Sequence, residues 1–399
     1  MKNVKLYEMF AGIGSQYKAL KNIEKSLKIN VKSLGSCDFY IDAIIAYMII
    51  HYGAVSFEEK YSKTEMITKL KEYIWSANSK NVVSDNYFQK MNEQKLRRIF
   101  PYLYGYVNND YFFKKFNVNE RERERERESQ TDITHFEKLP KDIDILTYSF
   151  PCQDISQQGK QKGLDNTRSG LLYEIERILK NNKNSLPKVL VLENVKALMS
   201  KKFIEQFKDW TKSLEKLGYK SKYKIINSID YGSAQNRERV FCISWLDKTK
   251  NFDFPKHITH ENTLDKIICN DNMEEFKYSN KYAFNEFKKT KNGIWKSKLI
   301  DYTNFNSEAY IYLNKGFGPT LTASGANSRL KFYFKETNSI NYINAQQSFL
   351  YMGFDNKDYL ALKNADLMSE TKMIYLCGNS ISVEVLEHVF KEIIECKLI

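Results

Sequence analysis

Cys152 follows a proline in the segment Ser149-Phe-Pro-Cys-Gln153, after an apolar stretch over residues 142–150 that is typical of a strand. The carboxyl ends of parallel strands form the edge of an α/β sheet at which ligands bind. A thiolate there can act as a nucleophile in covalent catalysis, and a helix that begins just downstream would favour the thiolate. We therefore take Cys152 as a candidate nucleophile, against the alternative of a buried, inert thiol.

An acid and two arginines stand at the boundaries of two further predicted strands. Glu193 comes directly after the apolar segment 188–192, and Arg237 and Arg239 lead into the segment 239–245. Acids at the carboxyl ends of such strands are often functional. Taken singly, however, the acid could be structural and the arginines could be ordinary surface charges.

The N-terminal segment has the pattern of a nucleoside-binding turn. Residues 4–10 favour a strand, the glycines of Gly12-Ile13-Gly14 favour a tight turn, and residues 16–28 have helical spacing. A second strand over residues 31–36 leads to Asp38, and an acid at that position can accept hydrogen bonds from the hydroxyl groups of a ribose. The pattern predicts a nucleoside-bearing cofactor; the alternative is a plain turn followed by a surface acid.

These turns and strand ends require a sheet that positions them. Strands alternate with helical segments, and this order predicts a doubly wound, mostly parallel α/β fold. Apolar residues recur at helical spacing in the segments 171–179, 203–217 and 382–395. After residue 249 the chain is polar and lacks helical periodicity. We therefore expect one domain from residues 1–249 and 330–399, and a smaller, irregular domain over residues 250–329.

The composition favours a polyanionic partner and argues against several classes of protein. Lysine and arginine number 62 against 49 acids, a net charge of +13, although many basic proteins bind no nucleic acid. The six cysteines include no C-x-x-C pair, so we expect no disulfide framework and no metal site. The chain has neither an apolar stretch long enough to span a bilayer nor a signal peptide, and we expect a cytoplasmic protein.

Residues 120–128 alternate glutamate and arginine without interruption. Such a run of charges is usually a solvated linker or loop, and we predict one here. Alternating Glu and Arg codons can be written as a dinucleotide repeat, and such repeats slip during replication. We therefore hypothesise that the gene switches on and off by frameshift. Sequencing clones of one culture tests this idea, and a fixed repeat length in all of them would contradict it.

The order and spacing of these segments over residues 8–390 resemble the cytosine-5 DNA methyltransferase family. The matching segments are the cofactor loop (residues 10–14), the motif whose acid reaches the adenine amine (Thr131-Asp132-Ile133), the catalytic loop (Pro151-Cys152-Gln153), the acid motif (Glu193-Asn194-Val195), the Q-x-R-x-R motif (Gln235, Arg237, Arg239) and the C-terminal cofactor motif (Gly378-Asn379-Ser380). Together these motifs are highly specific, whereas each alone is weak.

The resemblance implies a Rossmann-like methyltransferase domain that binds S-adenosyl-L-methionine, with target recognition in residues 250–329. It implies that Cys152 attacks carbon 6 of a cytosine, that Glu193 binds the N3 side of the base, and that Arg239 holds O2 while Arg237 supports the site. The residues expected at the cofactor are Phe10, Gly12, Ile13, Gly14, Asp38, Phe39, Asp132, Ile133, Pro151, Leu171, Asn379 and Ser380. Those expected at the DNA are Gln153, Ser156, Thr320, Ser324 and Asn327.

Within the family, the segments 305–308 and 318–329 resemble most closely the CpG-specific mollicute enzymes, so we expect CpG as the recognition site. Asp38 and Phe39 stand where the family usually has Glu and Trp, which keeps an acid for the ribose and a ring for the adenine. The segment Asn344-Ala-Gln-Gln347 lacks the acid of a common Arg-Glu pair, which puts a structural salt bridge in doubt.

The expected partner is double-stranded DNA, bound by a monomer at the nucleoid, and a cognate restriction endonuclease is left open. The first alternative is a tRNA cytosine-5 methyltransferase on the same scaffold; the large basic recognition segment favours DNA. The second is a catalytically silent DNA-binding protein, against which the retained Cys152, Glu193 and Arg239 argue. The third is a nicotinamide-dependent oxidoreductase, which leaves the Pro-Cys-Gln segment unexplained.

Overall fold

The computed structural model describes residues 1–117, 127–150, 171–323 and 328–399. The chain forms two compact units, each built from separate stretches. The first comprises Met1–Ile225, Arg239–Pro255 and Glu387–Ile399, and the second comprises Ile226–Glu238 and Lys256–Leu386. Residues 330–386 thus pack within the second unit, whereas the sequence places them in the first domain. That residues 250–329 recognise the target stays a prediction.

The first unit is organised around a six-stranded sheet with the order β2-β1-β3-β4-β6-β5. Its strands are β1 (Lys2–Met9), β2 (Ile29–Cys37), β3 (Ile145–Tyr148), β4 (Val189–Val195), β5 (Lys220–Asn227) and β6 (Glu238–Trp245). β1 pairs in parallel with β2 and β3, and β3 pairs in parallel with β4. β6 is antiparallel to β4. The predicted doubly wound, mostly parallel α/β fold is confirmed.

The central strands are apolar because helices cover both faces of the sheet. All four residues of β3 are buried, and β4 is buried from Val189 to Asn194. The hydroxyl of Tyr148 accepts a hydrogen bond from the indole of Trp210 at 3.1 Å, which joins β3 to a covering helix. The strand predicted over residues 142–150 is shorter than expected, since only Ile145–Tyr148 is paired.

The helices of the first unit include the expected ones and five that the sequence did not reveal. They are Ser15–Ile23, Ile41–Tyr52, Lys63–Lys71, Tyr87–Lys90, Glu93–Val107, Asn109–Lys115, Leu171–Asn181 and Ile204–Lys216. The helix predicted over residues 16–28 ends earlier, at Ile23. The C-terminal helix, Val383–Glu395, runs from the second unit into the first.

Residues 63–115, which the sequence left unread, form four helices. The longest of them, Glu93–Val107, buries Leu96, Ile99, Phe100 and Leu103, which recur at helical spacing. This signal was present in the sequence. Pro101 inside the helix and the many surrounding tyrosines obscured it.

The last two residues of the Glu/Arg tract belong to the described part of the chain, and they do not form a solvated loop. Arg127 is only 6% exposed, and its guanidinium carbon lies 4.1 Å from the centroid of the Phe112 ring. The backbone N–H of Glu128 donates to Leu34 in β2 at 2.9 Å. The prediction of a solvated tract is therefore wrong at Arg127, because aromatic side chains from neighbouring helices surround its guanidinium in place of water.

The second unit contains a six-stranded sheet with the order β7-β12-β11-β10-β9-β8. Its strands are β7 (Glu274–Glu275), β8 (Lys288–Lys289), β9 (Ile294–Lys298), β10 (Tyr310–Gly316), β11 (Lys331–Phe334) and β12 (Ser339–Tyr342). The part of the chain in which we expected an irregular domain thus contains short strands of a sheet. The strands are short and carry many lysines and tyrosines, so their alternation is hard to recognise. Their core includes Phe276, Leu299, Ile311 and Ile340.

Four further helices of the second unit are Asn306–Ala309, Ala345–Tyr351, Asn356–Ala365 and Glu370–Asn379. The helix that begins at Ala345 forms although the segment Asn344–Gln347 lacks the acid of the family's Arg-Glu pair. The Asn344 side chain accepts from the N–H of Gln347 at 2.8 Å, and the Gln347 side chain accepts from the N–H of Asn344 at 3.3 Å. This reciprocal capping box needs no charge.

Within the described ranges, no helix combines the length and the apolar character needed to cross a bilayer. In the same ranges, His, Cys, Asp and Glu side chains form no group of three or more that could hold a metal ion.

Candidate active site

The glycine turn and the acid after β2 lie together in the first unit, as the sequence predicts. The N–H of Gly12 donates to Oδ2 of Asp38 at 2.8 Å, and the N–H of Tyr40 donates to Oδ1 at 2.9 Å. The N–H of Phe10 donates to the carbonyl of Cys37 at 2.8 Å. Loss of water around the Asp38 carboxyl raises its pKa to about 6, although the backbone N–H groups of Tyr40 and Gly12 act to lower it.

The conformation of the turn explains its two glycines. Gly12 and Gly14 have φ values of 58° and 77°, in the left-handed region that side chains disfavour. A Cβ on Gly14 would lie 2.2 Å from Nε2 of His51 and 2.7 Å from the Tyr47 ring. At Gly12, by contrast, a Cβ would meet no described atom within 4 Å. The backbone at Gly12 is therefore open to a ligand.

The predicted adenine acid follows an extended segment that pairs with β2. The N–H of Gln130 donates to Ser36 at 2.9 Å, and the carbonyl of Gln130 accepts from Asp38 at 3.1 Å. Asp132 comes two residues later and accepts from the N–H of Thr134 at 2.9 Å and from His135. Partial burial acts to raise the pKa of Asp132, but hydrogen bonds from His135 and Thr134 hold it below its ordinary value. The two acids predicted to bind the cofactor, Asp38 and Asp132, thus stand at the same end of β2.

Glu193 and Arg239 form an ion pair across neighbouring strands. β4 and β6 are antiparallel and pair Val195 with Arg239. Nε of Arg239 lies 3.2 Å from Oε1 of Glu193, and the two side chains are 17% and 10% exposed. The acid motif and the last arginine of Q-x-R-x-R therefore meet at the carboxyl end of β4.

Asn194 connects this end of β4 to the segment that carries the candidate nucleophile. Its side-chain amide donates to the carbonyl of Phe150 at 3.1 Å, and Phe150 is buried directly before Pro151 and Cys152. Pro151, Cys152, Gln153 and Ser156 lie outside the described residues. The described chain nevertheless reaches Phe150 beside the Glu193–Arg239 pair.

Arg237 lies in the second unit and binds backbone carbonyls. Its guanidinium donates to Leu321 at 2.7 Å, to Gly378 at 3.2 Å and to Ser380 at 2.8 Å. The side chain is buried, and Gln235 accepts from the N–H of Leu321 at 2.9 Å. These contacts hold the chain around residues 321 and 378–380 in place. That Arg237 supports the site at which the base binds stays a prediction.

The C-terminal cofactor motif packs tightly against the chain after Thr320. A Cβ on Gly378 would lie 2.4 Å from the N of Ala323, so only glycine fits there. The Ser380 hydroxyl donates to Cys377 at 2.7 Å, and the Thr320 hydroxyl donates to Asn236 at 2.7 Å. Thr320, Asn379 and Ser380 all belong to the second unit.

The other predicted residues divide between the described and undescribed parts of the chain. Ile133 is buried, Phe39 is half-buried with its carbonyl bound by Ser76 at 2.8 Å, and Leu171 begins the helix Leu171–Asn181. Ser324 and Asn327 lie outside the described residues.

Two residues that help to build the site were missed by the sequence reasoning. Asn194 is one, and Glu8 in β1 is the other. Glu8 is fully buried and accepts from the Tyr47 hydroxyl at 2.7 Å and from the N–H of Tyr17 at 3.1 Å. It therefore joins β1 to the helix after the glycine turn. The signal was an acid inside an apolar strand, two residues before Phe10.

Known proteins resemble this chain over most of its length. The family model described as C-5 cytosine-specific DNA methylase matches residues 100–395. The chain is 40% identical over 400 residues to the orphan methyltransferase M.SssI of Spiroplasma monobiae, covering 98% of this chain and 97% of that protein. It is 30% identical to the type II methyltransferase M2.ScrFI of Lactococcus lactis subsp. cremoris over 407 residues, covering 98% and 99%.

Solved structures share the fold at low sequence identity. The Entamoeba histolytica methyltransferase EhMeth superposes with a TM-score of 0.59 at 15% identity, covering 99% of each chain. The S. pombe Dnmt2 methyltransferase superposes with a TM-score of 0.54 at 14% identity, covering 98% of each chain. Taken with the family match and the full-length relatives, the chain belongs to the C-5 cytosine-specific DNA methylase family and is a DNA (cytosine-5) methyltransferase.

Proposed function

We propose that this enzyme methylates carbon 5 of a cytosine turned out of duplex DNA, at CpG sites, through a covalent bond between Cys152 and carbon 6. The observation that carries the proposal is the Glu193–Arg239 ion pair at the end of β4. Asn194, next to that pair, binds the carbonyl of Phe150, two residues before Cys152. The nucleophile follows β3 in the sequence, and the acid and the cation lie in the neighbouring strands β4 and β6. Ligands of α/β enzymes bind at the carboxyl ends of such strands.

The chemistry requires a nucleophile because carbon 5 of cytosine is itself a poor one. The Cys152 thiolate adds to carbon 6, which makes carbon 5 enamine-like and able to take an electrophilic methyl group. Glu193, protonated or sharing a proton with the ring, hydrogen-bonds N3 and the exocyclic amine, and Arg239 holds O2. A base then removes the proton from carbon 5, the bond to carbon 6 breaks, and the thiolate is restored.

The described residues fit S-adenosyl-L-methionine. When bound, this cofactor supplies a methyl group on a positively charged sulfur. The open backbone at Gly12 allows close approach, the Asp38 carboxylate can accept from ribose hydroxyls, and Asp132 can accept from the adenine amine. Phe39 can stack on the adenine ring. Asn379 and Ser380 are assigned to the same cofactor by their match to the family's C-terminal motif.

The target base must leave the helix, since its reacting atoms are covered while it is stacked; the rotation costs a few kcal/mol. We assign Gln153 and Ser156, and the segment up to Leu171, to closure over the extruded base. Thr320, Ser324 and Asn327 are assigned to DNA contacts in the recognition segment. The CpG assignment rests on the resemblance over residues 305–329. With a net charge of +13, binding of duplex DNA should weaken steeply with salt.

The enzyme would act as a monomer on chromosomal DNA at the nucleoid. Several relatives are named type II methyltransferases, as is M.HaeII of Haemophilus aegyptius. A cognate restriction endonuclease is therefore a partner to look for near the gene.

The test compares Cys152→Ser with Cys269→Ser, which changes an exposed free cysteine of the second unit. Cys152→Ser should lose methyl transfer to a CpG duplex while it keeps DNA binding, and Cys269→Ser should keep both. A duplex with 5-fluorocytosine should form a covalent complex that survives denaturing electrophoresis, with wild type but not with Cys152→Ser. Turnover by Cys152→Ser would remove Cys152 from this role.

Bisulfite sequencing of plasmid treated with the purified protein reports the recognition site in the same preparation. Methylation at CpG alone supports the assignment, and methylation in another context overturns it. Parallel incubation with tRNA and labelled cofactor tests the alternative substrate. Methyl transfer to tRNA and not to duplex DNA would replace the proposed function.

A further inference from the structure

We propose that Arg127 is a positioning residue for the cofactor pocket: it holds the segment 127–131 against β2 so that Asp38 and Asp132 stand ready for the ribose and the adenine. The inference rests on the proposed cofactor site. It gives a role to the end of the Glu/Arg tract, which the proposed reaction does not use.

Three aromatic rings enclose the Arg127 guanidinium. Its central carbon lies 4.1 Å from the ring centroid of Phe112, 5.3 Å from that of Tyr52 and 5.9 Å from that of Tyr106. We call these three rings the aromatic cage. They belong to the helices Asn109–Lys115, Ile41–Tyr52 and Glu93–Val107. Arginine stays charged at every physiological pH, and the faces of aromatic rings attract cations strongly where water is excluded.

Hydrogen bonds fix the orientation of the guanidinium inside the cage. One terminal nitrogen donates to the carbonyl of Tyr106 at 3.0 Å and to the Ser129 hydroxyl at 3.2 Å. Nε donates to the same hydroxyl at 3.3 Å. The other terminal nitrogen is buried and has no hydrogen-bond partner among the described residues. The guanidinium is flat and can lie against the rings while it donates to both acceptors, whereas a lysine ammonium has no flat face.

The segment that begins at Arg127 contacts both of the acids assigned to the cofactor. It leads along the chain to Asp132, and its backbone is hydrogen-bonded to that of Asp38. Glu128 donates from its N–H to Leu34 at 2.9 Å and accepts from the Tyr7 hydroxyl at 2.9 Å. Gln130 donates to Ser36 and accepts from Asp38, as described above. A Cβ on Gly35 would lie 2.5 Å from the Glu128 carbonyl oxygen, so the two backbones are in close contact. A shift at Arg127 would therefore move the backbone that binds Asp38.

The alternation of glutamate and arginine means that a change in the length of the repeat need not remove an arginine from the aromatic cage. Because glutamate and arginine alternate from residue 120 to 128, loss or gain of one Glu-Arg pair brings another arginine to the place of Arg127. A glutamate again follows it, and then Ser129. Slippage of the coding repeat by whole codon pairs therefore leaves the caged arginine and the cofactor acids as they are, whereas slippage out of frame destroys the chain.

The test measures the cofactor affinity of the full-length protein by calorimetry, together with the KM for cofactor, the KM for DNA and kcat. Arg127→Met should raise the Kd and the KM for cofactor about tenfold, and leave kcat and the KM for DNA within about twofold. Arg127→Lys, which keeps the charge but lacks the planar guanidinium that packs on the rings, should raise the same two constants about threefold. The matched controls are Arg125→Met and deletion of Glu120-Arg121, and both should behave as wild type.

An unchanged cofactor Kd in folded Arg127→Met would overturn the proposal. The proposal would also be overturned if deletion of Glu120-Arg121 raised the cofactor Kd as much as Arg127→Met does. If Arg127→Met does not fold, Ser129→Ala decides. That variant removes one acceptor and should raise the cofactor Kd about threefold, and an unchanged Kd would count against the positioning role. Failure of the proposed function is seen separately, as wild-type protein that binds no S-adenosyl-L-methionine or methylates no DNA.

Discussion

Nε of Arg239 lies 3.2 Å from Oε1 of Glu193, although the register of β4 and β6 sets Val195, not Glu193, opposite Arg239. The arginine reaches back along the neighbouring strand to the acid. The two side chains are 17% and 10% exposed, so the pair is largely removed from water. Each charge therefore depends on the other more than in a surface ion pair. We therefore expect a ligand that binds one of these two side chains to contact the other as well.

Glu193→Gln should keep the fold and lose the reaction. The amide has nearly the shape of the carboxyl but cannot share a proton with N3 of the base. We expect single-turnover methyl transfer to fall about 100-fold or more. Glu205→Gln, at a side chain that is 74% exposed, is the matched control and should leave the rate unchanged. An unaltered single-turnover rate in Glu193→Gln would contradict the assigned role.

Arg237→Met should destabilise the second unit. The substitution leaves the carbonyls of Leu321, Gly378 and Ser380 without their buried donor. We expect the free energy of unfolding to fall by about 3 kcal/mol, measured by urea denaturation. Lys335→Met changes an exposed cation of the same unit and should have an effect of less than about 0.5 kcal/mol. Equal stabilities of the two variants would show that the three contacts contribute little.

Alanine at Gly12 and at Gly14 should separate cofactor binding from stability. Both residues have positive φ, so each substitution should cost about 1–2 kcal/mol of backbone strain. At Gly14 the new Cβ also collides with His51 and Tyr47, and stability should fall further. At Gly12 the Cβ enters the open space assigned to the cofactor, so the cofactor Kd should rise more than stability falls. Thermal unfolding and calorimetry check the pattern, and the reverse pattern would place the cofactor elsewhere.

Glu8 should make stability depend on pH. Burial raises its pKa from 4.5 to about 7, against hydrogen bonds from Tyr47 and Tyr17 that lower it. The folded protein therefore binds this proton more tightly than the unfolded chain. The contribution of Glu8 is fully present below pH 4.5 and is lost as the pH rises to about 7. In Glu8→Gln this decline should be absent.

Urea denaturation of wild type and Glu8→Gln at several pH values between 4.5 and 7 measures the difference. Asp38, whose pKa burial raises to about 6, and His51, whose pKa burial lowers to about 4, titrate in both proteins and cancel in the comparison. Parallel stability curves would mean that Glu8 is no harder to ionise in the fold than in the unfolded chain.

The strand ends to which we assign chemistry could be located from the sequence because local pattern decides where a strand ends. Gly12 and Asp38 each follow an apolar strand, and Glu193 follows the apolar residues with which β4 begins. Such apolar segments are visible without knowledge of their neighbours. The contact between Gly12 and Asp38 then follows from the parallel pairing of β1 and β2. The positions of these residues can be predicted because they lie at or near the ends of regular elements.

The burial of Arg127 could not be predicted in the same way. A basic residue in a run of charges is normally solvated, and only the distant rings of Tyr52, Tyr106 and Phe112 make its burial favourable. The strands of the second unit could not be predicted from the sequence, for another reason. β7 and β8 have two residues each, too few to show alternation, and their pairing is settled by the longer strands beside them.

The capping box of Asn344 and Gln347 consists of two neutral amides. It starts the helix Ala345–Tyr351, whose last residue accepts at its carbonyl from Gln235 and donates from its hydroxyl to Pro319. An ion pair at this point would weaken with rising ionic strength, whereas amide hydrogen bonds are insensitive to added electrolyte. Titrations of affinity against sodium chloride can thus be interpreted as counterion displacement from phosphates, without a correction for screening of this capping box.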